Sequence, residues 1–182
     1  MKIFIYILAI ISVLFVSFLL VGLFSSDLTY DYEIVANKPL TETWSVLNDE
    51  DKLSEWLPGF QKIEHISGEA GTVGSVSNVY FIENGEQMIV KETITDIIPE
   101  ESISMTYESE FMTMEYRMSI ADLGEKTKIK TNTTVRGNGI MFSSIIAFIG
   151  NTIKEQEEEN LSKLKKTIEN NKKVYLQKEE ID

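Results

Sequence analysis

A chain of 182 residues suits one domain of ordinary size with a sizeable core. It has no cysteine and a single histidine, His65, which excludes disulfides, thiolate metal sites, cysteine nucleophiles and His-rich metal centres. With 17 Lys+Arg against 29 Asp+Glu, it has no concentrated positive charge outside its C-terminal segment, so no nucleic-acid partner is expected, and no metal or cofactor either.

The N-terminus differs from the rest. Ile3 to Ser26 holds no charged residue. A helix needs about 20 such residues to cross a hydrocarbon core of roughly 30 Å, whereas the apolar region of a signal peptide is about 7–15 residues. Small residues at a cleavage site are also hard to find, because Leu23 and Phe24 precede Ser25 and Ser26. The expectation is an uncleaved, single-pass anchor in the cell membrane over residues 1–26, touching lipid through residues 3–25. Lys2 precedes the span and the next basic residue is Lys38, so the slight bias of positive charge puts the domain on the extracytoplasmic side. The folded domain would cover 27–175, with a frayed tail at 176–182.

Leu28–Asn37 alternates and reads as a strand. Pro39 opens a short helix over Leu40–Leu47, and Asn48–Trp56 reads as a second, capped by Asn48 or Asp49 and ended by Pro58-Gly59. Six strands follow: Phe60–Ser67, Ser75–Glu83, Glu86–Ile97, Ser102–Ser109, Met112–Leu123 and Glu125–Arg136. Asn84-Gly85 between two alternating runs is a strong hairpin signal. After Gly137-Asn138-Gly139 the period changes. Phe142, Ile145, Ile149, Ile153, Leu161, Leu164 and Ile168 fall at helical spacing from Met141 to about Lys173. The acidic central turns, Glu155 to Glu159, read as a solvated face. The fold class is therefore α+β: a seven-stranded antiparallel curved sheet gripping a long C-terminal helix, with two short helices after strand 1 and a transmembrane helix in front. One helix on so wide a concave face leaves space, so a cavity is expected between them.

Ile34–Asp49 (IVANKPLTETWSVLND), Leu53–Ser75 (LSEWLPGFQKIEHISGEAGTVGS) and Lys91–Met105 (KETITDIIPEESISM), followed by the long helix, resemble the START-like, helix-grip superfamily (SRPBCC), which includes polyketide cyclase/dehydrase-type and lipid-transfer proteins. The match covers roughly 28–172. Gly68, Gly71 and Gly74 have the spacing of a phosphate loop but no following helix and no Gly-Lys-Ser/Thr. The resemblance places this loop at a pocket mouth instead, with Trp56 and Phe60 partly in the wall.

Alternation sets Met114, Tyr116 and Met118 on one face, with Met105 and Tyr107 on the neighbouring strand, a soft lining for a flexible apolar ligand or plain core filling. Glu92 shares parity with Ile94; a carboxyl there would have a raised pKa. Thr131 offers a polar contact. Tyr80 is also a candidate, although Val79 and Phe81 compete with it for the inner face. Ile145 and Ile149 complete the expected lining from the helix. No Ser-His-Asp spacing is present and no catalytic residue is assigned. The leading expectation is a membrane-tethered domain that binds a hydrophobic small molecule or lipid, more a binder than an enzyme. A cyclase/dehydrase-like enzyme using Glu92, Tyr107 or Tyr116 is the alternative, and an interaction module with an apolar patch near Phe148 a third.

Overall fold

The computed structural model describes residues 2–83 and 85–175. The elements run α1 (Lys2–Phe24), β1 (Leu28–Ala36), α2 (Leu40–Leu47), a 3-10 turn (Glu50–Lys52), α3 (Leu53–Trp56), β2 (Phe60–Ser67), β3 (Val76–Glu83), β4 (Glu86–Ile98), β5 (Ser102–Glu108), β6 (Met112–Asp122), β7 (Thr127–Gly137) and α4 (Ile140–Asn170). The strands form one antiparallel sheet in the order β1-β7-β6-β5-β4-β3-β2. The meander β2 to β7 is sequential, and β1 closes onto β7 across most of the chain, from Leu28 opposite Val135 to Ala36 opposite Thr127.

Alternation decides the inner face. Val79 pairs with Val90, Ile94 with Met105, Met105 with Tyr116, and Met118 with Thr131, so one layer of side chains runs across five strands. α4 lays Leu161, Leu164 and Ile168 against Met118, Ile120 and Ile129, and Ala36 and Val46 complete this core. The loss of water contact by these apolar groups is the main force holding helix to sheet.

Two expectations change here. Asn48–Trp56 is not one helix. Asp49 caps a 3-10 turn by accepting from the Asp51 N–H at 3.2 Å, and a single α-turn follows. α4 ends at Asn170 instead of near Lys173. Beyond it Lys173 Nζ reaches Asp49 at 2.7 Å and Asp51 at 3.3 Å, and the Tyr175 hydroxyl donates to Asp49 at 2.8 Å. These bonds clamp the C-terminal end of α4 to the α2–α3 segment. The β3–β4 hairpin forms, with Gly85 at φ 84°; Asn84 and the expected frayed tail, 176–182, lie outside the described residues.

Candidate functional site

The interior between α4 and the sheet is apolar around its edges and polar at its centre. Glu92 on β4 stands directly opposite Tyr107 on β5. Tyr107 donates to Met105 Sδ at 3.3 Å, and its ring meets that of Tyr116 edge-on, centroids 6.4 Å apart. Glu157 enters from α4. Its neighbours Glu155, Glu158 and Glu159 are exposed, whereas Glu157 is half-buried. It follows Ile153 by four residues and precedes Leu161 by four, so the helical period turns it onto the buried stripe.

Burial is the leading influence on all these groups. It pushes the Glu92 carboxyl up, with Tyr107 opposing and the Glu50 carboxylate adding to the rise. It pushes Glu157 up, with Tyr116 opposing. It raises the phenol of Tyr107, and then Glu92 raises it further; it raises Tyr116, and then Glu157 does so. Tyr30 is raised by burial and by the negative charge of Glu157. Glu92, Glu157 and Tyr107 all retain some accessible surface.

Several polar atoms there lack partners. Among the described residues, Glu157 Oε1, Thr131 Oγ1 and Trp56 Nε1 are buried and have no hydrogen-bond partner. Leaving such a group unpaired costs about 1–3 kcal/mol, so interiors rarely tolerate several without something that binds them.

The residues singled out from sequence divide as follows. Glu92, Ile94, Met105, Tyr107, Tyr116, Met118 and Thr131 share the inner face, with Trp56 packed on the same core. Met114 lies toward the other end, with Tyr30, Val135 and Ile146. Phe60 meets Phe81 edge-on at 6.2 Å at the β2 edge of the sheet. Tyr80 points elsewhere: its hydroxyl donates to Glu64 at 2.7 Å and Lys62 Nζ sits 4.4 Å from its ring centre. Val79 holds the inner position, so parity turns Tyr80 outward. Ile145 and Ile149 are exposed on α4 and do not line the interior. Sequence reading missed Glu157 and Tyr30, whereas the parity of Thr133 with Val135 had already turned it inward beside Thr131. The i, i+4 placement of Glu157 between Ile153 and Leu161 was the available signal.

Other features carry less chemistry. Gly68, Gly71 and Gly74 all have positive φ and lead into β3, without a helix N-terminus to present N–H groups to a phosphate. His65 is exposed, its Nε2 3.0 Å from the Gly68 carbonyl oxygen. A concavity of about 300 Å³ lies between α2 and Asn171–Tyr175, and one of about 430 Å³ on the outer sheet face near Ser104, Arg117 and Asn132. Among the described residues no group of three His, Asp or Glu is placed to hold a metal ion.

The raised carboxyls make a pH prediction. A group whose folded pKa is raised stabilises the fold fully below its ordinary value, near 4.5 for Glu, and that contribution is lost as pH rises through the raised value. Asp49, Glu64 and Glu159 are lowered by partners and act in the opposite sense. The readout is therefore the difference between wild type and a Glu92→Gln/Glu157→Gln variant. Thermal unfolding of the full chain in detergent at pH 5 and pH 8 should show the variant gaining several degrees on wild type at pH 8 relative to pH 5. An unchanged difference would mean that the two carboxyls are solvated.

The model of the family described as polyketide cyclase / dehydrase and lipid transport matches residues 28–169. No curated protein matches. Among solved structures, Ara h 8.0201 superposes with a TM-score of 0.65 at 18% identity over 80% of this chain and 100% of its own. The Zhui aromatase/cyclase from Streptomyces sp. R1128 gives 0.64 at 12% over 79% and 94%. A START superfamily protein from Mycobacterium smegmatis gives 0.58 at 14% over 79% and 95%. At these identities the structures show a shared fold. The family match spans the whole sheet and nearly all of α4, and on that ground the chain belongs to the polyketide cyclase/dehydrase and lipid-transport family.

Proposed function

We propose that the domain binds a hydrophobic small molecule or lipid bearing a hydrogen-bonding group, held between sheet and α4, and that α1 tethers it to a membrane. The observation that carries this reading is the set of unpartnered buried groups, Glu157 Oε1, Thr131 Oγ1 and Trp56 Nε1, in an interior with apolar edges. Affinity would come from removing the ligand's apolar surface from water. At about 25 cal/mol per Å², a contact of about 200 Å² contributes about 5 kcal/mol before the cost of immobilisation. The polar centre would set orientation: Trp56 Nε1 donates, while Glu92 and Glu157 accept when ionised and donate when protonated.

The tether is supported by α1, a helix of 23 residues with Phe, Ile, Leu and Val exposed along its length and Lys2 its one charge. Lys2 ahead of the span and the first following basic residue at Lys38 favour an extracytoplasmic domain.

The test is mass spectrometry of small molecules extracted from the full chain, purified in mild detergent from its native host. A stoichiometric lipid-like molecule is expected. Tyr107→Phe and Glu157→Gln should each weaken its rebinding about tenfold, the equivalent of about 1.4 kcal/mol. Nothing bound, together with no stabilisation by a broad lipid panel, would remove this reading.

Acid–base chemistry of the cyclase/dehydrase kind is a second reading, favoured by the direct pairing of Glu92 with Tyr107. It requires the bound molecule to change with time, by ring closure at constant mass or by loss of water, and Glu92→Gln to stop the change.

A further inference from the structure

The first half of α4 is built unlike the second. From Gly137 to Ile153 there is no charged residue, and α4 meets its first charge at Lys154. Ile140, Met141, Ile145, Phe148 and Ile149 are exposed, Phe148 at 65%, as is Phe111 from the β5–β6 turn, whose ring packs edge-on against Phe142. An apolar patch of this kind on a chain with a net charge of −12 marks a contact surface.

α1 is joined to this patch. The Gly22 N–H donates to Ser144 Oγ at 3.0 Å, and Ser144 Oγ lies 2.8 Å from the Phe18 carbonyl oxygen. The approach is so close that a Cβ on Gly22 would fall 2.1 Å from the Ile140 carbonyl oxygen. Phe18 stacks on Phe148 with centroids 5.8 Å apart. Only Ser25–Asp27 separate α1 from β1, and Asp27 is held by Arg136 through contacts of 2.6 and 3.1 Å. The end of α1 is thus fixed to the domain.

Helix length then sets depth. Burial on α1 is confined to its last two turns, at Phe18, Leu19 and Gly22, while the residues up to Ser17 stand clear of the domain. At 1.5 Å per residue, Lys2–Ser17 spans about 24 Å, short of the roughly 30 Å hydrocarbon core. The remaining roughly 6 Å is about four residues, so Phe18–Val21 must lie in hydrocarbon too for the span to be filled, and Phe18 is the residue stacked on Phe148, with Gly22 on Ser144 directly after it.

We propose that Ile140–Ile149 of α4, with Phe111, is seated in the edge of the bilayer, so that the domain is docked on lipid hydrocarbon and not suspended on a flexible stalk. This rests on the reading of α1 as a membrane span. Lipid is favoured over a second protein because the patch is joined to α1 through the Phe18–Phe148 and Gly22–Ser144 contacts, on a helix whose Leu20, Leu23 and Phe24 are exposed, and whatever covers it shares the depth of those turns. The domain's acidity opposes attraction to anionic headgroups, so the docking is apolar and is not weakened by salt.

The absence of cysteine permits the test. Single variants Leu14→Cys, Met141→Cys, Phe148→Cys and Lys126→Cys of the full chain carry a nitroxide label in vesicles of phosphatidylcholine and phosphatidylglycerol. Collision with oxygen reports hydrocarbon, and collision with a water-soluble nickel chelate reports water. Oxygen should dominate at Leu14, Met141 and Phe148, with nickel dominant at Lys126 in the β6–β7 turn, in low and high salt alike. Nickel dominance at both Met141 and Phe148 with oxygen dominance at Leu14 would leave the anchor standing and overturn the docking. Nickel dominance at Leu14 would overturn the span and the docking together. Dipolar broadening between Phe148 labels, with low access to both reagents, would assign the patch to a second copy of the chain and overturn lipid as its occupant.

Discussion

Leu164→Ala lowers the unfolding free energy by about 3–5 kcal/mol, the upper part of the range for a leucine truncated in a core. Leu164 has no exposed surface and packs in the cluster of Met118, Ile120, Ile129, Leu161 and Ile168. The cost of a truncation depends on how far the surroundings close over the gap, and α4 has little freedom to do so. Its start is pinned on Gly137 and α1, and the segment after it is tied to Asp49 and Asp51 through Lys173 and Tyr175. Glu169 adds a further tie, accepting from the Asn37 N–H at 2.9 Å. Against a typical domain stability of about 5–15 kcal/mol, this is a large fraction. Urea denaturation of the full chain in detergent measures it as a fall in midpoint with an unchanged slope. A loss below about 1 kcal/mol would show that α4 settles inward and that these ties do not hold it.

Gly137→Ala costs about 3 kcal/mol, through a collision that has no cheap relief. A Cβ there would lie 2.2 Å from the Ser143 N and 2.5 Å from the Phe142 carbonyl carbon, both backbone atoms of α4's first turns. Overpacking a well-filled site typically costs about 1–3 kcal/mol, and backbone obstacles place this one at the top of the range. Gly150→Ala is the matched control. Its Cβ would meet only Leu28 Cδ1 at 3.2 Å, the end of a flexible side chain, and the gain of about 1 kcal/mol in helix propensity offsets that contact. Denaturation of the two variants side by side should separate them by about 3 kcal/mol. Equal stabilities would mean that α4 tilts freely about its N-terminus.

The sheet was legible because its signals are local. Alternation in Met112–Asp122 and Ser102–Glu108 set Met114, Tyr116, Met105 and Tyr107 on one face, and strand ends fell within two residues of those observed. The second short helix was misread because a 3-10 turn and an α-turn share nearly the same residue pattern, and Asp49 selects between them only once it bonds the Asp51 N–H. The candidate site was legible on the strands and poorly legible on α4. Glu157 was hidden among acidic neighbours that face solvent, although its spacing from Ile153 and Leu161 marks it. Ile145 and Ile149 erred in the opposite direction. Their apolar period is genuine, but it serves the surface beside α1, and periodicity cannot name which neighbour a helix face will meet. Tyr80 turned outward because Val79 and Phe81 flank it and one of the two parities had to lose.

The pairing of β1 with β7 has a consequence for the order in which the chain is made. α1 and β1 leave the ribosome well before β7, yet β1 pairs only with β7, from Leu28 opposite Val135 onward. At about 5–20 residues per second, β1 waits on the order of 5–20 s for its neighbour, and α4 arrives later still. During that interval α1 is already available for insertion, and β1 stands beside it with Tyr30, Tyr32 and Ile34 uncovered. On the proposed reading of α1 as a membrane span, the nascent domain would be held at the bilayer surface throughout its unfolded life, and β1 and α4 would find each other on a plane, with α1 as the fixed point of the search.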